Sequence, residues 1–417
     1  MLKIIFHITC IIILWVHLAF SQDQDTSKTT MSTGGPADQF KADSLVKGEF
    51  SPLDIGKDRG LYIVTADRKM QLRILGSVRF SALYDMVEIP VKKTFNTYYI
   101  LTGDNNVKVP NYYNSLNETR IGFEITRILE TQNVFVRLET DFNGSQGQFR
   151  IRHAYGQLGN FLVGQTWSLF SNVTSSPAMV NNDGPTGSVT LRTPQLRYSG
   201  QGKRGISWAV ALEYSRPDLT VDDFDTSGIS IVQLIPDLTG RFVWEGNLGV
   251  VQLSAVINAI SKKDPSNEIT NTFGIGGSLS GTVDIPGNHE LLYQFTYGKS
   301  ISHFISTFSG TGNDAVFNPE TKEFESLLSF GGFLSYGIDW RVIKLVSHLS
   351  IGYAQLSNKD FQPDDSFRNS LSLSIDSFWR FAEGARLGAE LIYGQRWDKS
   401  GATGQATRIS TLFYYDF

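Results

Sequence analysis

Residues 405–417, QATRISTLFYYDF, decide the class of fold that the chain can adopt. Successive side chains of an extended strand point to opposite faces, so this stretch has one apolar face that ends in aromatic residues and one polar face that carries Arg408. Such a strand at a chain terminus is typical of the closing strand of an outer-membrane β-barrel, whose lipid-facing side ends in a band of aromatic residues. An edge strand of a soluble protein gives the same local pattern, so the rest of the chain must distinguish the two.

The last residue adds a second indication. Phe417 is preceded by aromatic residues two and four positions earlier, Tyr415 and Phe413. A terminal Phe with this spacing resembles the signal by which bacterial assembly machinery recognises barrel proteins. We therefore predict that Phe413, Tyr415 and Phe417 form an assembly signal read by that machinery.

The alternation of residues 405–417 recurs along the chain from Met70 onward. In MQLRILGSVRFSALYD the apolar side chains share one face, and Arg73, Ser77, Arg79 and Ser81 share the other. So long an alternation exceeds the usual strand of a soluble protein and suits a tilted membrane strand. We count about sixteen candidate strands, an even number as expected for a bacterial barrel, near residues 70–85, 119–129, 133–142, 148–158, 160–169, 190–199, 205–215, 230–244, 248–260, 270–284, 288–298, 326–339, 344–357, 367–379, 385–396 and 405–417.

The connections between these strands alternate in length. Short turns lie near residues 130–133, 158–160, 245–248 and 285–288, and long polar loops occupy residues 86–118, 170–189, 216–229 and 299–325. An up-and-down barrel with short periplasmic turns and long outer loops has this rhythm, whereas a soluble sandwich has turns of more uniform length. We predict an all-β transmembrane antiparallel barrel over residues 61–417, with outer-membrane lipid around it.

The N-terminus indicates export. Residues 1–21 contain Lys3, a long apolar run and Ser21, which is the order of a cleaved secretory signal peptide; an uncleaved membrane helix is the alternative. The only cysteine, Cys10, lies inside this run, so cleavage leaves no thiol for a disulfide or metal site. Residues 22–60 are polar with little periodicity and are interpreted as a flexible periplasmic leader. The formal net charge of −4 argues against nucleic acid as a partner.

The face opposite the lipid-facing one carries many arginines in the first half of the chain. Rows of arginine in a low-dielectric wall attract anions, because guanidinium groups bind carboxylate and phosphate in a bidentate manner. For any single arginine, pairing with an inward acid such as Glu124, Glu139 or Asp141 is an equally good explanation. The register predicts the following inward positions: Arg73, Arg79, Arg120, Arg127, Arg137, Arg150, Arg152, Arg197 and Arg241.

The loop at residues 170–189, FSNVTSSPAMVNNDGPTGSV, is the candidate constriction. It is long, and its Asn-Asn-Asp-Gly-Pro run favours a tight turn, so the loop can fold inward and narrow a channel. A surface loop is the simpler alternative. If the loop does fold inward, Asp183 at its tip faces the arginine side of the wall.

Around this loop the sequence resembles a known family. Residues 149–170, FRIRHAYGQLGNFLVGQTWSLF, the DGP at 183–185 and RTPQLRYSG at 192–200 are similar to segments of the DcaP-like family of trimeric outer-membrane porins. Members of that family pair an "LRHAYG…LLxGQTWS" segment with a later "R-x-P-Q-x-R-Y" strand. The strand at residues 70–85 also resembles the family's first barrel strand. The similarity covers about residues 60–215.

The resemblance implies a sixteen-stranded barrel, a homotrimer, and diffusion of small anionic solutes such as dicarboxylates. It further implies roles in the lumen or constriction for matching positions, although two of them, Gln165 and Trp167, could equally pack where the loop leaves the wall. The full set of implied positions is Arg150, Arg152, Gln165, Trp167, Arg192, Gln195 and Arg197. Some family members carry an N-terminal coiled coil that supports the trimer, whereas residues 22–60 contain no heptads.

These observations rank three functions. The first is a bacterial outer-membrane porin for small, preferably anionic solutes. The second is a structural or adhesive barrel with a plugged lumen and partner-binding loops. The third, an enzyme, is not expected, because His153, His289, His303 and His348 form no metal-spaced pair and no cofactor motif is present.

Overall fold

The computed structural model describes residues 51–56, 59–87, 89–130, 132–220, 230–263, 266 and 268–417. Twenty-two strands occur in this part of the chain. Six strands add to the barrel or its loops: β1 (Leu61–Val64), β3 (Asn111–Ser115), β10 (Leu219–Thr220), β11 (Ser230–Val232), β16 (Ala315–Asn318) and β17 (Glu323–Ser326). Sixteen strands form the wall: β2 (Met70–Asp85), β4 (Arg120–Ile128), β5 (Asn133–Asp141), β6 (Arg150–Leu158), β7 (Phe161–Trp167), β8 (Arg192–Gln201), β9 (Ile206–Glu213), β12 (Asp237–Gly246), β13 (Gly249–Lys263), β14 (Ile269–Ile285), β15 (His289–Lys299), β18 (Leu328–Trp340), β19 (Leu345–Leu356), β20 (Phe367–Ala382), β21 (Ala385–Asp398) and β22 (Thr403–Asp416).

The wall closes on itself. Each wall strand pairs antiparallel with the next one along the chain, and β22 returns to pair with β2 from Ser77↔Asp416 to Asp85↔Arg408. The other edge of β2 pairs with β4 along Met70–Ser77 and with β3 along Ser81–Asp85. Closure leaves no free sheet edge in the wall, which removes the site at which another chain could add a strand. The predicted antiparallel barrel of sixteen strands is therefore confirmed.

The seam is completed by two short elements. Phe417 exchanges two backbone hydrogen bonds with Gly76, at 2.9 and 3.0 Å, just beyond the end of β22. Nearer the start of β2, where β22 no longer reaches, β1 pairs with β2 from Leu61↔Ile74 to Val64↔Gln71. The edge of β2 that faces the seam is therefore paired first with β1 and then with β22.

Side-chain burial alternates along the wall as the sequence indicates. In β22 the residues Ile409, Phe413 and Tyr415 are exposed, whereas Arg408 and Tyr414, on the other parity, are buried. The prediction that Arg127 faces inward is wrong. Its side chain is exposed, on the opposite face of β4 from the buried Arg120. The two residues are seven positions apart in one regular strand, and an odd separation places side chains on opposite faces.

The two ends of the barrel differ as predicted. Short connections join β4 to β5, β6 to β7, β12 to β13 and β14 to β15, and the long connections lie at the other end. The helices in the described residues are 3-10 turns of three residues, and none is long or apolar enough to cross a membrane. The signal peptide predicted at residues 1–21 and most of the predicted leader lie outside the described residues, as do residues 221–229 of one long loop.

One part of the predicted leader is described, and it is ordered against the barrel. In residues 51–56, Leu53, Asp54 and Ile55 are all buried. A polar stretch without periodicity gave no indication of this, because its contacts are with distant wall strands. The interpretation of residues 22–60 as a flexible leader therefore does not hold for residues 51–56.

Candidate functional site

The inner faces of β2, β4, β5 and β6 carry a ladder of arginines and carboxylates. Arg73 donates to Glu124 at 2.8 Å, and Arg120 donates to Asp54 at 2.9 Å. On β6 the guanidinium of Arg150 forms two hydrogen bonds with the carboxylate of Asp141, at 2.6 and 3.0 Å. We call this set, with the contacts of Glu139 described next, the arginine ladder. Bidentate guanidinium–carboxylate pairs of this kind fix side-chain orientation as well as charge.

Glu139 is the centre of the ladder. Its side chain is 1% exposed and lies 2.5 Å from Arg137, 2.7 Å from Arg152 and 3.9 Å from Arg120. A β-bulge between Glu139 and Thr140 shifts the register of β5 against β6 at this point. An extra residue in one strand re-aims neighbouring side chains. The bulge therefore lies where Arg152 reaches both Glu139 and, at 3.1 Å, Asp141.

Three more of the predicted arginines lie beside the ladder: Arg79 and Arg197 are buried, and Arg192 is half-buried. Arg79 donates to the carbonyl of Leu53 at 2.5 Å, and Arg197 donates to the carbonyl of Trp167 at 2.7 Å. The guanidinium of Arg192 stacks on the Trp167 ring, 3.5 Å from its centre, as the planar cation favours. Two further arginines face inward on other strands: Arg241 on β12, and Arg408 on β22, which pairs with Asp85.

Arginine is the commonest charged residue of the ladder and its neighbours. Eight of the described guanidinium groups lie on this side of the lumen, and five of the described carboxyl groups lie among them. The arginines are Arg73, Arg79, Arg120, Arg137, Arg150, Arg152, Arg192 and Arg197, and the acids are Asp54, Glu118, Glu124, Glu139 and Asp141. Ion pairing within the ladder is therefore extensive. Arg150 is the most exposed arginine of the ladder, with 43% of its side chain exposed.

Residues 170–189, which we call the inner loop, leave the wall after β7 and fold inward. The backbone of Val180 donates to Asp376 on β20 at 3.3 Å, and that of Asn181 donates to Glu390 on β21 at 2.9 Å. The backbone of Val189 donates to Gln294 on β15 at 2.8 Å. The inner loop is thus fastened to strands β15, β20 and β21, whereas the arginine ladder lies on β2 to β6.

A glycine allows this loop to lie flat on the wall. Gly187 has a φ of +85°, and a Cβ atom there would collide with the carbonyl of Tyr353 and the backbone nitrogen of Gly332. Only glycine tolerates both this conformation and this approach. Opposite Gly187, the wall offers the small residues Gly331 and Gly352, which make room for the loop backbone.

The remaining predicted site residues lie in different parts of the fold. Asp183 is half-buried in the inner loop, where its carboxyl accepts a hydrogen bond from Thr94. Gln195 is buried on the inward face of β8 and contacts Arg197 at 2.9 Å. Gln165 shares the parity of the exposed Phe161 and Val163 and donates to the carbonyl of Ile151. Gln165 therefore packs against the wall where the loop begins, and we no longer include it among the lumen residues.

Two other long loops pack with the inner loop. Phe95 and Ile100, between β2 and β3, are buried against Met179 of the inner loop and Ile392 of the wall. Residues 301–308, after β15, bury a second apolar cluster that includes Phe170 and Val189 of the inner loop. The sequence does not reveal this packing, because loop residues carry no periodic pattern that predicts their partners.

A polar cluster that the sequence analysis did not predict holds the loop after β15. His303 lies with Nδ1 2.7 Å from Asp314 and Nε2 3.0 Å from Ser215, which follows β9, and Ser215 in turn donates to Asp237. The distances match those of a Ser-His-Asp triad. However, Asp314, Asp237 and Asp218 together raise the pKa of His303 above its ordinary value, although burial opposes them. Because Ser215 donates its hydrogen to Asp237, Nε2 of His303 donates to Ser215 instead of accepting from it, so we interpret the cluster as a lock between loops.

This lock predicts a pH dependence. The raised pKa of His303 means that the folded loop binds a proton more tightly than the unfolded chain, so its stabilising effect is complete below the ordinary pKa of about 6.5 and is lost as the pH rises through the raised value. We expect amide hydrogen exchange in residues 301–314 to become faster relative to β20 between pH 6 and pH 9, after correction for the intrinsic rate. The His303→Gln variant should lose this dependence. An unchanged dependence in that variant would exclude the imidazole as its source.

Comparisons with known proteins agree with this architecture. The fold is similar to the crystal structure of the outer membrane channel DcaP of Acinetobacter baumannii, with a TM-score of 0.74 and 18% identity over 85% of this chain and 99% of that one. It is also similar to an anion-selective porin from Comamonas acidovorans (TM-score 0.54, 9% identity, 84% and 100% covered) and to OmpF of Salmonella typhi in complex with daunomycin (0.51, 12%, 86% and 100%). A comparison with curated protein sequences gives no match.

These structural similarities, at such low identity, establish the porin fold alone. The family is established by sequence: residues 58–417 match the family model described as DcaP outer membrane protein. This match covers the whole barrel, including the strands beyond residue 215 that the sequence motifs did not reach. The chain therefore belongs to the DcaP family of outer-membrane proteins.

Proposed function

We propose that this protein is a passive outer-membrane channel for small anions, with dicarboxylates among the solutes it admits. The observation that carries the proposal is the row of inward-facing arginines on β2, β4, β5, β6 and β8, of which Arg150 has 43% of its side chain exposed. A charged wall of low dielectric constant focuses its potential into the space it encloses and raises the local concentration of counter-ions. In this proposal the solutes pass through the lumen between the arginine ladder and the inner loop, a route that we call the path.

The fastening of the inner loop supports this path. Its anchors, Gln294, Asp376 and Glu390, lie on β15, β20 and β21, so the loop is held away from the strands that carry most arginines. Within the ladder, Arg150 is the side chain that a solute can meet, since the others are almost fully buried. The buried arginines act at a distance through their charge and hold Arg150 and Asp141 in place.

A trimer in the outer membrane is part of the proposal. Strands β4 to β9 have 7 to 10 residues, whereas β13 and the later wall strands have 11 to 17. A strand needs about 9–11 residues to cross the hydrocarbon core, so the short side of the wall is at the lower limit for contact with lipid. Neighbouring subunits that cover this side would remove the mismatch.

The test is the reversal potential of the protein in planar bilayers under a potassium chloride gradient. We expect chloride to be favoured over potassium in the parent protein, and Arg150→Ala to lower the permeability ratio about two- to threefold, because it removes an exposed charge from the path. Arg341→Ala is the matched control, since Arg341 is exposed in the turn between β18 and β19, away from the ladder. A trimer should close in three equal steps.

Two outcomes would contradict the proposal. A preference for cations in the parent protein would exclude the anion channel. An equal effect of Arg150→Ala and Arg341→Ala would exclude the ladder as the source of selectivity. A barrel with a closed lumen is a second candidate, favoured by the position of residues 51–56, and swelling of liposomes in small dicarboxylates separates it from an open channel.

A further inference from the structure

Residues 51–56, immediately before the barrel, are bound by the arginine ladder. The carboxylate of Asp54 accepts from Arg120 at 2.9 Å, and both side chains are at most 3% exposed. The carbonyl of Leu53 accepts from Arg79 at 2.5 Å. Closer to the periplasmic end of β2, Arg73 donates to the carbonyl of Gly56. Three inward arginines of the wall therefore hold this short segment of the same chain.

The other side of the segment touches the inner loop and the wall strands β20 and β22. Leu53 is 8% exposed and packs in a cluster with Ala178 and Val180 of the inner loop. The other members of the cluster are Phe378, Leu412 and Tyr414, from β20 and β22. The segment thus reaches from the arginine ladder to the inner loop, which is the gap through which the proposed path runs.

The conformation of the segment is fixed locally as well. The backbone of Asp54 donates to the carbonyl of Ser51 at 2.9 Å, and the backbone of Ser51 donates to the Asp54 carboxylate at 2.9 Å. These two bonds close a tight turn with an Asp side chain satisfying its own backbone. The turn presents the second oxygen of Asp54 to Arg120 and the Leu53 side chain to the inner loop.

We propose that residues 51–56 form a tethered plug, in which Asp54 occupies an arginine site of the pore as an anion supplied by the chain itself. This inference rests on the proposed channel function. A permeant anion must compete with Asp54 for Arg120 before the segment can leave the gap. The tether is short, because the chain continues through Gly60 into β1, which is paired to the wall.

The tether sets the concentration at which a solute can compete. A short flexible link holds an attached group at an effective concentration on the order of millimolar. A solute with one carboxylate meets this local competitor, whereas a solute with two carboxylates can contact Arg150 as well as Arg120. The plug therefore favours multivalent anions at low solute concentration, and removing it should reduce this preference while it increases total flux.

Conductance is the first test. Replacing both Leu53 and Asp54 with Gly removes the apolar contact and the ion pair together but leaves every wall arginine in place. We expect the single-channel conductance to rise about threefold or more, and Asp54→Asn alone to give a smaller rise in the same direction. Asp365→Asn, an exposed carboxyl in the loop between β19 and β20, is the matched control. Equal conductance in the parent, the double variant and the control would overturn the plug.

Thiol labelling tests the position of the segment without any reference to conduction. In a Cys10→Ser background, Ile55→Cys places a thiol in the segment, where Ile55 is 3% exposed, and Val342→Cys places one in a turn where Val342 is 97% exposed. We expect a membrane-impermeant anionic methanethiosulfonate to react about tenfold or more slowly at position 55, and Asp54→Asn to accelerate that reaction. Equal rates at the two positions would overturn the plug.

The two tests distinguish failure of the plug from failure of the channel. If position 55 is protected and the parent protein shows no anion preference, the segment is a plug but the proposed anion channel is wrong. If the parent protein does not conduct and the double variant does, the plug is confirmed and closes the channel of the parent protein. If the anion preference is present while position 55 reacts as fast as position 342, the channel stands and the plug is excluded.

Discussion

Replacing Glu139 with Gln is expected to destabilise the barrel by about 3–5 kcal/mol, the usual cost of removing one partner from a buried ion pair. Glu139 is 1% exposed and lies between Arg137, Arg152 and Arg120. The amide has nearly the same shape as the carboxylate, so packing is kept while the negative charge is lost. Three buried guanidinium groups then face one another with less compensation.

The same substitution should make the channel more selective for anions. It removes one buried carboxylate from the ladder, so the formal charge of the ladder becomes more positive by one. Opposite signs of the two effects, lower stability and higher selectivity, follow from one physical cause. A residue that merely packs in the wall would lower stability without moving the reversal potential.

Unfolding by guanidinium chloride in detergent micelles measures the first effect, and the reversal potential of folded protein in bilayers measures the second. Glu290→Gln is the matched control, because Glu290 also lies on the wall but is 40% exposed and contacts only His348 among the charged partners seen in the described residues. Its free energy of unfolding should change by less than about 1 kcal/mol. An equal change in the two variants would mean that Glu139 is not the centre of the ladder.

The wall of this barrel could be predicted from the sequence because its two faces lie in different environments. Lipid on one side and a polar lumen on the other force every strand to alternate, so Ile409, Phe413 and Tyr415 are separated from Arg408 by parity alone. The same parity rule corrects Arg127, which cannot share a face with Arg120. Where the register is regular, the sequence therefore predicts which side chains face inward.

The contacts within the lumen could not be predicted in the same way. Whether Arg152 meets Glu139, Asp141 or a solute depends on the register of β5 against β6, and this register changes at a β-bulge. The binding of Asp54 by Arg120 joins residues 66 positions apart, without a periodic pattern in residues 51–56. The lock of His303 joins three separate loops and strand ends. Such contacts depend on tertiary geometry, which composition and spacing do not encode.

Deletion of Phe417 is expected to reduce the amount of assembled barrel in cells about tenfold, with little effect on the conductance of molecules that do insert. Phe417 makes two backbone hydrogen bonds with Gly76 at the seam between the first and last wall strands. Its ring lies directly over Gly76, where a Cβ atom would collide with it. The residue therefore has a structural role as well as its predicted role as a recognition signal.

Two substitutions separate these roles. Phe417→Ala keeps the backbone hydrogen bonds but removes the ring, so it abolishes the aromatic terminus and the packing on Gly76 together. Gly76→Val keeps the terminal Phe intact but displaces its ring from the seam. If Phe417 acts chiefly by closing the seam, both variants should fold poorly, whether assembly takes place in cells or in detergent without any other protein.

Recognition by the assembly machinery predicts a different pattern, and we expect this one. The Phe417→Ala variant should fold in detergent to at least half the yield of the parent protein, because the loss of one half-exposed ring costs only about 1–2 kcal/mol; the ring is 48% exposed. The same variant should fail in cells, where the terminal aromatic residue is read before the barrel closes. Gly76→Val should show the same moderate defect in both settings. Equal behaviour of Phe417→Ala in cells and in detergent would exclude the recognition signal and leave the seam as the reason for a terminal Phe.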